Sequence, residues 1–214
     1  MVFRLHADGD ATCSIVCVLV LVRDIFTHPD GPWRDLSSSS NHRDYDMMDK
    51  PKCFPAEDEL LDQIYAVEVD SYPAEEAATK AKLLHRFHQA PDTFLIAIAT
   101  TDDTYVGIAG FICATRSRDE VVTHDSMQHT CGPEGTTVAI HSVVTEVRYR
   151  RQGLAKEMLK RYTGPGANIH NVERFALMCK EKNISLYRSV GFSLHGQSMV
   201  EHGADLWHDM IKKA

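Results

Sequence analysis

The segment that most limits what this chain can fold into is residues 138–159, VAIHSVVTEVRYRRQGLAKEML. Apolar and polar positions alternate over residues 138–147 and β-branched residues are frequent there, which predicts a half-buried strand. Gly153 predicts a tight turn. The apolar residues after it have the spacing of one helix face: Leu154, Met158 and Leu159. The segment therefore predicts a strand, a turn and a helix in direct succession.

The predicted turn is basic, with positive charge at Arg150, Arg151 and Lys156. The N–H groups in the first turn of a helix have no partner within the helix, and the helix dipole is positive at that end. Such a turn can bind an anion, for example a pyrophosphate. A basic turn before a helix is more often a solvated loop, so the turn alone leaves both interpretations open.

A second patterned segment follows at residues 174–192, RFALMCKEKNISLYRSVGF. Residues 175–179 predict another strand, and residues 183–190 predict a short helix. Gly191 predicts the end of that helix, before a further strand.

The two segments together resemble the GNAT superfamily of acyl-CoA-dependent N-acetyltransferases. The first family signature, (Arg/Gln)-x-x-Gly-x-(Gly/Ala), is matched by Arg150, Gly153 and Ala155. The second, Asn-x-x-x-Tyr followed by Gly-Phe, is matched at Asn183, Tyr187, Gly191 and Phe192. The segments IHSVV, RRQG, LMC and LYRSVGF are also similar to the arylalkylamine N-acetyltransferases, in particular to their non-vertebrate branch. The resemblance covers residues 47–214 and implies the GNAT fold, an α+β fold with a mixed sheet in an α/β/α sandwich.

The resemblance implies direct transfer of acetyl from acetyl-CoA to a small amine of the serotonin or tryptamine kind, within a ternary complex. Such a reaction needs a proton acceptor for the amine and a proton donor for the leaving thiolate. We expect His141 to be the general base and Tyr187 the general acid. The residues expected to hold acetyl-CoA lie on the strand, the turn and the second motif: Val143, Val144, Thr145, Arg150, Arg151, Gln152, Gly153, Leu154, Ala155, Lys156 and Asn183.

Other interpretations of these residues stay open. A lone strand histidine is often structural, and Tyr187 could simply pack its ring under the last strands. Vertebrate members of the arylalkylamine N-acetyltransferase family carry His-x-His on the corresponding strand, where this chain has Ala139, Ile140 and His141. The amine could also be a polyamine, another small amine, or a protein N-terminus or lysine. A catalytically weak acyl-CoA-binding module is a further alternative.

Composition indicates one enzyme-sized domain and excludes some partners. The 214 residues are 43% hydrophobic, enough for a core without disulfides. The formal net charge of -7 argues against nucleic acid and mildly favours cationic substrates. The six cysteines contain no CxxC pair, so we expect reduced thiols, a cytoplasmic location and no metal. We expect no membrane partner, and the oligomeric state is left open.

The first 46 residues are predicted to be an extension to a domain at residues 47–214. The apolar run at residues 13–22 is too short to span a bilayer, and residues 27–46 resemble a flexible linker. The extension is either partly ordered, as an added strand, or disordered. Within the domain, the pattern predicts a short strand near residues 48–53, a helix from about Asp58, and a second helix from Pro73 to about Gln89.

Two more strands are predicted at residues 93–100 and 105–115, joined by the hairpin turn TDDT. The loop that follows, residues 116–135, gathers four residues of metal-ligand type: His124, Asp125, His129 and Cys131. Their spacing matches no strong zinc pattern, so a mobile flap beside the amine site is the favoured interpretation and a metal site the weaker one.

Overall fold

A computed structural model describes residues 2–6, 14–22, 51–132, 134–165, 167 and 169–214 of the chain. Its strands are β1 (Val2–His6), β2 (Ser14–Leu21), β3 (Phe94–Thr101), β4 (Thr104–Ser117), β5 (Thr137–Thr145), β6 (Arg174–Cys179), β7 (Ser193–Gln197) and β8 (His208–Lys213). Its α-helices are α1 (Glu57–Val69), α2 (Lys80–Gln89), α3 (His124–Gln128), α4 (Leu154–Thr163) and α5 (Ile184–Arg188).

The strands described form one mixed sheet in the order β1-β2-β3-β4-β5-β6-β8-β7. Every neighbouring pair is antiparallel except β5 and β6, which are parallel. The pairing of β5 with β6 ends at Ile140 and Leu177, although β5 continues to Thr145. The two parallel strands therefore separate in the middle of the sheet, and the second half of β5 is paired on its β4 side alone.

Helices cover both faces of the sheet, and β3 shows why its sequence requires this. Phe94, Ile96 and Ile98 pack in one apolar cluster with α1 and α2, whereas Leu95, Ala97 and Ala99 pack in a second cluster with α4. All six side chains are buried. A strand with apolar residues on both faces must lie inside a sandwich. The structure confirms the α+β class and the α/β/α sandwich.

A β-bulge at His141 changes the alternation along β5. Ile140 pairs with Ala114 and Ser142 pairs with Cys113, which leaves His141 as the extra residue. Val138 and Ile140 belong to the α4 cluster, whereas Val144 belongs to the cluster with α1 and α2. The even-numbered side chains thus change face across His141, as expected when a bulge inserts one residue. The simple alternation expected over residues 138–147 is wrong here, and β5 ends at Thr145.

The second helix begins later than predicted. Pro73 suggested a helix start, but α2 starts at Lys80 with Thr79 as its N-cap, whose hydroxyl accepts a hydrogen bond from the Lys82 N–H. The carbonyl of Pro73 instead accepts the N–H groups of Glu76 and Ala77, which closes a turn. Residues 73–79 therefore form an irregular connection along the sheet.

Other local predictions have mixed outcomes. The TDDT hairpin turn is confirmed, since Asp102 and Asp103 both have positive φ, as a two-residue type I′ turn requires. The short strand near residues 48–53 is an isolated bridge of Lys52 with Thr104, and residues 48–50 lie outside the described residues.

Part of the segment 1–46 belongs to the sheet. Strand β2 pairs with β3 from Val16 opposite Thr100 to Leu21 opposite Leu95, and the Cys17 side chain is fully buried. The two alternatives for the extension were an added strand and disorder, and residues 14–21 form an added strand. The linker prediction falls on residues outside those described, so the division between residues 46 and 47 stays a prediction.

Candidate active site

A cavity of about 220 Å³ lies where β5 and β6 separate. His141 and Val143 of β5 line one side of it, and Lys180, Asn183 and Tyr187 line the side that follows β6. Both predicted catalytic residues therefore lie on one cavity, although 46 positions separate them in the sequence. The cause is topological, because both strands point the same way and their ends meet at the same edge of the sheet.

His141 is held by the residues around the bulge. Its Nε2 lies 2.8 Å from Oγ1 of Thr115, and that hydroxyl donates its hydrogen to the carbonyl of Ser126 at 2.6 Å. The threonine oxygen must then accept a hydrogen bond from Nε2–H, which leaves the lone pair of the imidazole on Nδ1. Burial and the nearby Arg86 guanidinium hold the pKa of His141 well below 6.5. His141 is thus neutral at pH 7, with one nitrogen able to accept a proton.

Tyr187 lies in α5 and packs its ring edge-on against Phe192, with centroids 5.9 Å apart. A purely structural role for Tyr187 predicts such a ring contact. Tyr187 makes this contact and also lines the cavity. Burial, with a smaller contribution from Cys179, raises the pKa of the Tyr187 hydroxyl. The hydroxyl therefore carries its proton throughout the physiological range.

Glu68 is a cavity residue that sequence analysis missed. It lies in the last turn of α1 and is only 1% exposed. Its Oε1 accepts hydrogen bonds from the Ala78 N–H at 2.8 Å and from the Ser142 hydroxyl at 3.1 Å. Within the described residues its Oε2 has no hydrogen-bonding partner. Burial raises the pKa of this carboxyl, although both hydrogen bonds oppose the shift.

A second buried carboxylate, Glu76, is part of an ion-pair cluster at the cavity wall. Lys180 Nζ lies 2.7 Å from Glu76 Oε1 and 2.7 Å from Asp205 Oδ2. The same ammonium lies 5.4 Å from the centroid of the Trp207 ring, within range of a cation–π contact. This cluster fixes the segment between β7 and β8, and with it the Trp207 side chain, against the cavity.

The basic turn lies at the end of β5, outside the lining of the cavity. Gly153 has a φ of 86° and caps α4, whose first backbone hydrogen bond runs from the Glu157 N–H to the Gly153 carbonyl. The N–H groups of residues 154–156 precede that bond, so they point out of the helix end. The turn therefore has the geometry of an anion site, at a helix of ten residues.

The other predicted acetyl-CoA residues differ in what they present. Arg150 is turned back, since it donates to the Thr145 carbonyl and to the Ser71 hydroxyl, each at 2.9 Å. Val144 and Leu154 are buried in the core, so only their backbone groups could reach a ligand. Arg151 and Lys156 are exposed, Ala155 and Gln152 are half-buried, and the Gln152 amide donates to the Arg148 carbonyl at 3.2 Å.

Of the predicted loop at residues 116–135, Arg116 and Ser117 belong to β4, and whether the rest is a mobile flap stays a prediction. The short helix α3 is capped by Thr123, and its Met127 side chain lines the cavity. His129 lies 2.9 Å from Asp125. Throughout the described part of the chain, no group of three or more His, Cys, Asp or Glu residues could hold a metal ion.

Ala139 stands at the position where the resemblance placed a second histidine in vertebrate arylalkylamine N-acetyltransferases. It is fully buried in a small apolar cluster with Val122 and Ala176.

No helix among the described residues is both long and apolar enough to cross a membrane.

The comparisons with known proteins agree with this geometry. A model of the acetyltransferase (GNAT) family matches residues 61–192, which is more than half of the chain. No curated protein matches the sequence.

Several solved structures share the fold. The loading GNATL domain of CurA from Lyngbya majuscula aligns with a TM-score of 0.58 at 15% identity, over 72% of this chain and 93% of that one. The GphF GNAT-like decarboxylase, in complex with isobutyryl-CoA, gives 0.55 at 14% identity, over 74% and 96%. Ard1 from Thermoplasma volcanium gives 0.52 at 16% identity, over 73% and 92%. Identities this low show the fold alone. The family match over residues 61–192 shows that the chain belongs to the GNAT acetyltransferase family, whose membership implies acyl-CoA-dependent N-acyltransferase activity.

Proposed function

We propose that the protein transfers the acetyl group of acetyl-CoA to the primary amine of a small arylalkylamine, directly and within a ternary complex. The observation that carries this proposal is the cavity between the separated strands β5 and β6. It brings together a neutral histidine, a protonated tyrosine and a buried carboxylate beside the helix-capping turn.

Acetyl-CoA is the proposed co-substrate. The pyrophosphate would lie at the N–H groups of residues 153–156, and the pantetheine arm along the half of β5 that has no β6 partner. Family membership supports this, and the GphF neighbour binds isobutyryl-CoA. We propose Val143, Val144 and Thr145 as backbone contacts, with Arg151, Gln152, Lys156 and Asn183 around the ligand. Arg150 instead holds the end of β5 through the Thr145 carbonyl.

The proton balance of the reaction gives His141 and Tyr187 defined tasks. A cationic amine loses two protons when it becomes an amide, and the leaving thiolate gains one. We propose that Tyr187 donates the proton to sulfur. We propose that His141 accepts the proton that the nitrogen loses after it has attacked the carbonyl. At that stage the nitrogen is strongly acidic, so an imidazole with a lowered pKa suffices.

The lining of the cavity bears on the choice of amine. Tyr72, Trp207 and Met127 offer aromatic and apolar surface for an aryl group, which favours an arylalkylamine. An aliphatic polyamine is the second candidate. Two buried carboxylates line the cavity, and each leaves one oxygen unpartnered among the described residues.

The free buried thiols Cys17, Cys113 and Cys179 support the cytoplasm as the proposed location.

A substrate panel tests this proposal. The purified protein is mixed with acetyl-CoA and, separately, with tryptamine, serotonin, phenylethylamine, putrescine and spermidine, and free thiol is followed. We expect turnover with the aryl amines to exceed that with the polyamines in kcat/KM. The reverse order would favour the polyamine candidate. Measurable acetyl-CoA binding without turnover on any amine of the panel would favour an acyl-CoA-binding module, or an acceptor amine on a protein.

A further inference from the structure

We propose that Glu68 binds the ammonium group of the amine substrate at Oε2 and accepts the first of the two protons that the amine loses. This assignment rests on the proposed function and deepens it. It concerns a residue that lies outside both sequence motifs of the family.

Glu68 is held in place by its surroundings, with one carboxylate oxygen bonded and the other left available. The residue is 99% buried, and two hydrogen bonds to Oε1 fix its carboxylate: from the Ala78 N–H at 2.8 Å and the Ser142 hydroxyl at 3.1 Å. Oε2 is also buried, and it has no partner in the part of the chain that the structure describes. A buried carboxylate oxygen without a donor is costly. A cationic N–H group entering the cavity that Glu68 lines would supply the missing donor.

The charges around Glu68 keep it available. Arg86 is 4% exposed, donates to the Met127 carbonyl at 3.0 Å and lies 3.5 Å from Cys113 Sγ. Its positive charge therefore favours the ionised carboxylate without occupying Oε2. The other titratable groups that face Glu68 are Tyr72 and Cys113, and burial raises the pKa of both, so both are neutral. Burial raises the pKa of Glu68, and the Arg86 charge limits that rise.

The first proton transfer follows from burial. When the ammonium lies against Oε2, one N–H proton passes to the carboxylate, and the N–H electron pair becomes the lone pair of the neutral amine. Because Glu68 is buried, the neutral amine and neutral acid are favoured over the two ions. The lone pair then attacks the acetyl carbonyl carbon, and the C–S bond breaks. Tyr187 gives its proton to the sulfur and His141 takes the second proton from nitrogen. One of the two protons released restores Tyr187, and the other leaves to solvent.

Glu76 is the alternative ammonium site, and its contacts argue against it. Lys180 already lies against its Oε1, and the same lysine is shared with Asp205. Another cation at Glu76 would lie close to the Lys180 ammonium. Among the described residues Glu68 has no such competitor, because Arg86 donates to the Met127 carbonyl and to Cys113 and Oε2 of Glu68 has no partner.

The test is Glu68→Gln, which can keep an oxygen towards Ala78 and Ser142 while placing an amide N–H₂ at the Oε2 position. Glu75→Gln is the matched control, since Glu75 is exposed on the connection that follows α1 and its loss changes the net charge equally. A hydrogen bond to a charged group contributes at least about 1.5 kcal/mol, roughly tenfold. We expect Glu68→Gln to raise the amine KM at least about tenfold and to lower kcat. The acid limb that Glu68 contributes to the pH profile of kcat/KM should also be lost, which leaves the limb of His141, whose pKa is lowered. The Kd for acetyl-CoA should not change.

Calorimetry with tryptamine and CoA measures amine binding without turnover. Loss of amine binding in Glu68→Gln, with normal acetyl-CoA affinity, supports the proposal even if chemistry is slow. If the wild type turns over and Glu68→Gln matches Glu75→Gln in KM, kcat and pH profile, the proposal is overturned. A larger rise in KM for Glu76→Gln than for Glu68→Gln also overturns it. If the wild type neither binds nor acetylates any amine, the proposed function itself fails.

Discussion

Replacing Lys180 by methionine tests whether the ion-pair cluster at the cavity wall stabilises the fold. The Glu76 side chain is 2% exposed and the Lys180 side chain 17% exposed, whereas Asp205 is mostly in solvent. Lys180→Met removes the positive charge and leaves the Glu76 carboxylate buried among its neighbours. It also removes the cation from the face of Trp207.

The size of the effect follows from these exposures. Removing one partner of a fully buried pair costs about 3–5 kcal/mol, and because Lys180 reaches solvent we expect roughly 2 kcal/mol here. Loss of the cation–π contact adds about 0.5 kcal/mol. For a chain of this size 1 kcal/mol corresponds to about 2–4 °C in Tm, so the melting temperature should fall by about 5–10 °C.

Urea unfolding at pH 7, followed by far-UV circular dichroism, measures the loss. Lys80→Met is the matched control, because the Lys80–Asp62 pair is half exposed and its removal should cost less than about 1 kcal/mol. The double variant Lys180→Met with Glu76→Gln should recover much of the stability, since no charge then stays buried. Equal losses for Lys180→Met and Lys80→Met would show that the Lys180 cluster stabilises the fold no more than an exposed pair does. A double variant whose loss is the sum of the two single losses would contradict the expected coupling of Lys180 and Glu76.

Three further substitutions test the site. Gly153→Val should weaken acetyl-CoA binding at least about tenfold, because a positive φ and the anion contact both require glycine; Gly107→Val, at a positive φ with open space around it, is the control. Tyr187→Phe should lower kcat by about 10²-fold without changing the Kd for acetyl-CoA, and an unchanged kcat would remove Tyr187 from the mechanism. Because the pKa of His141 is lowered in the folded state, the unfolded chain binds the extra proton below pH 6.5. The free energy of unfolding should therefore fall with acidification, by up to about 1.4 kcal/mol per pH unit, and His141→Gln should abolish that share of the loss. Identical pH profiles of wild type and His141→Gln in urea unfolding would contradict this.

The strand, turn and helix around Gly153 could be predicted from the sequence because their signals are local. β-branched alternation, a glycine at positive φ and helical apolar spacing all lie within residues 138–159. The resemblance to the GNAT family implied a common site for His141 and Tyr187, and both residues line the same cavity. The bulge at His141 could not be predicted, because no glycine or proline marks it. It appears only in the pairing of β5 with β4, where Ile140 lies opposite Ala114 and Ser142 opposite Cys113.

Glu68 was missed for a physical reason. Within α1 a single glutamate before Val69 and Asp70 resembles a solvated helix end. Its burial depends on the connection after Pro73 turning back, so that the Ala78 N–H meets Oε1, and on Ser142 from a distant strand. The same turn at Pro73 delayed the start of α2 until Lys80. Both errors arose where long-range contacts, and not local preference, decide the backbone path.

Amine-dependent thiol release tests whether this GNAT protein acetylates a small amine. With acetyl-CoA and tryptamine, we expect one free thiol for each molecule of N-acetylated product identified by mass spectrometry. Omitting the amine should remove the thiol signal. Thiol release that is independent of the amine, or no acetylated product from any amine in the panel, would contradict the account.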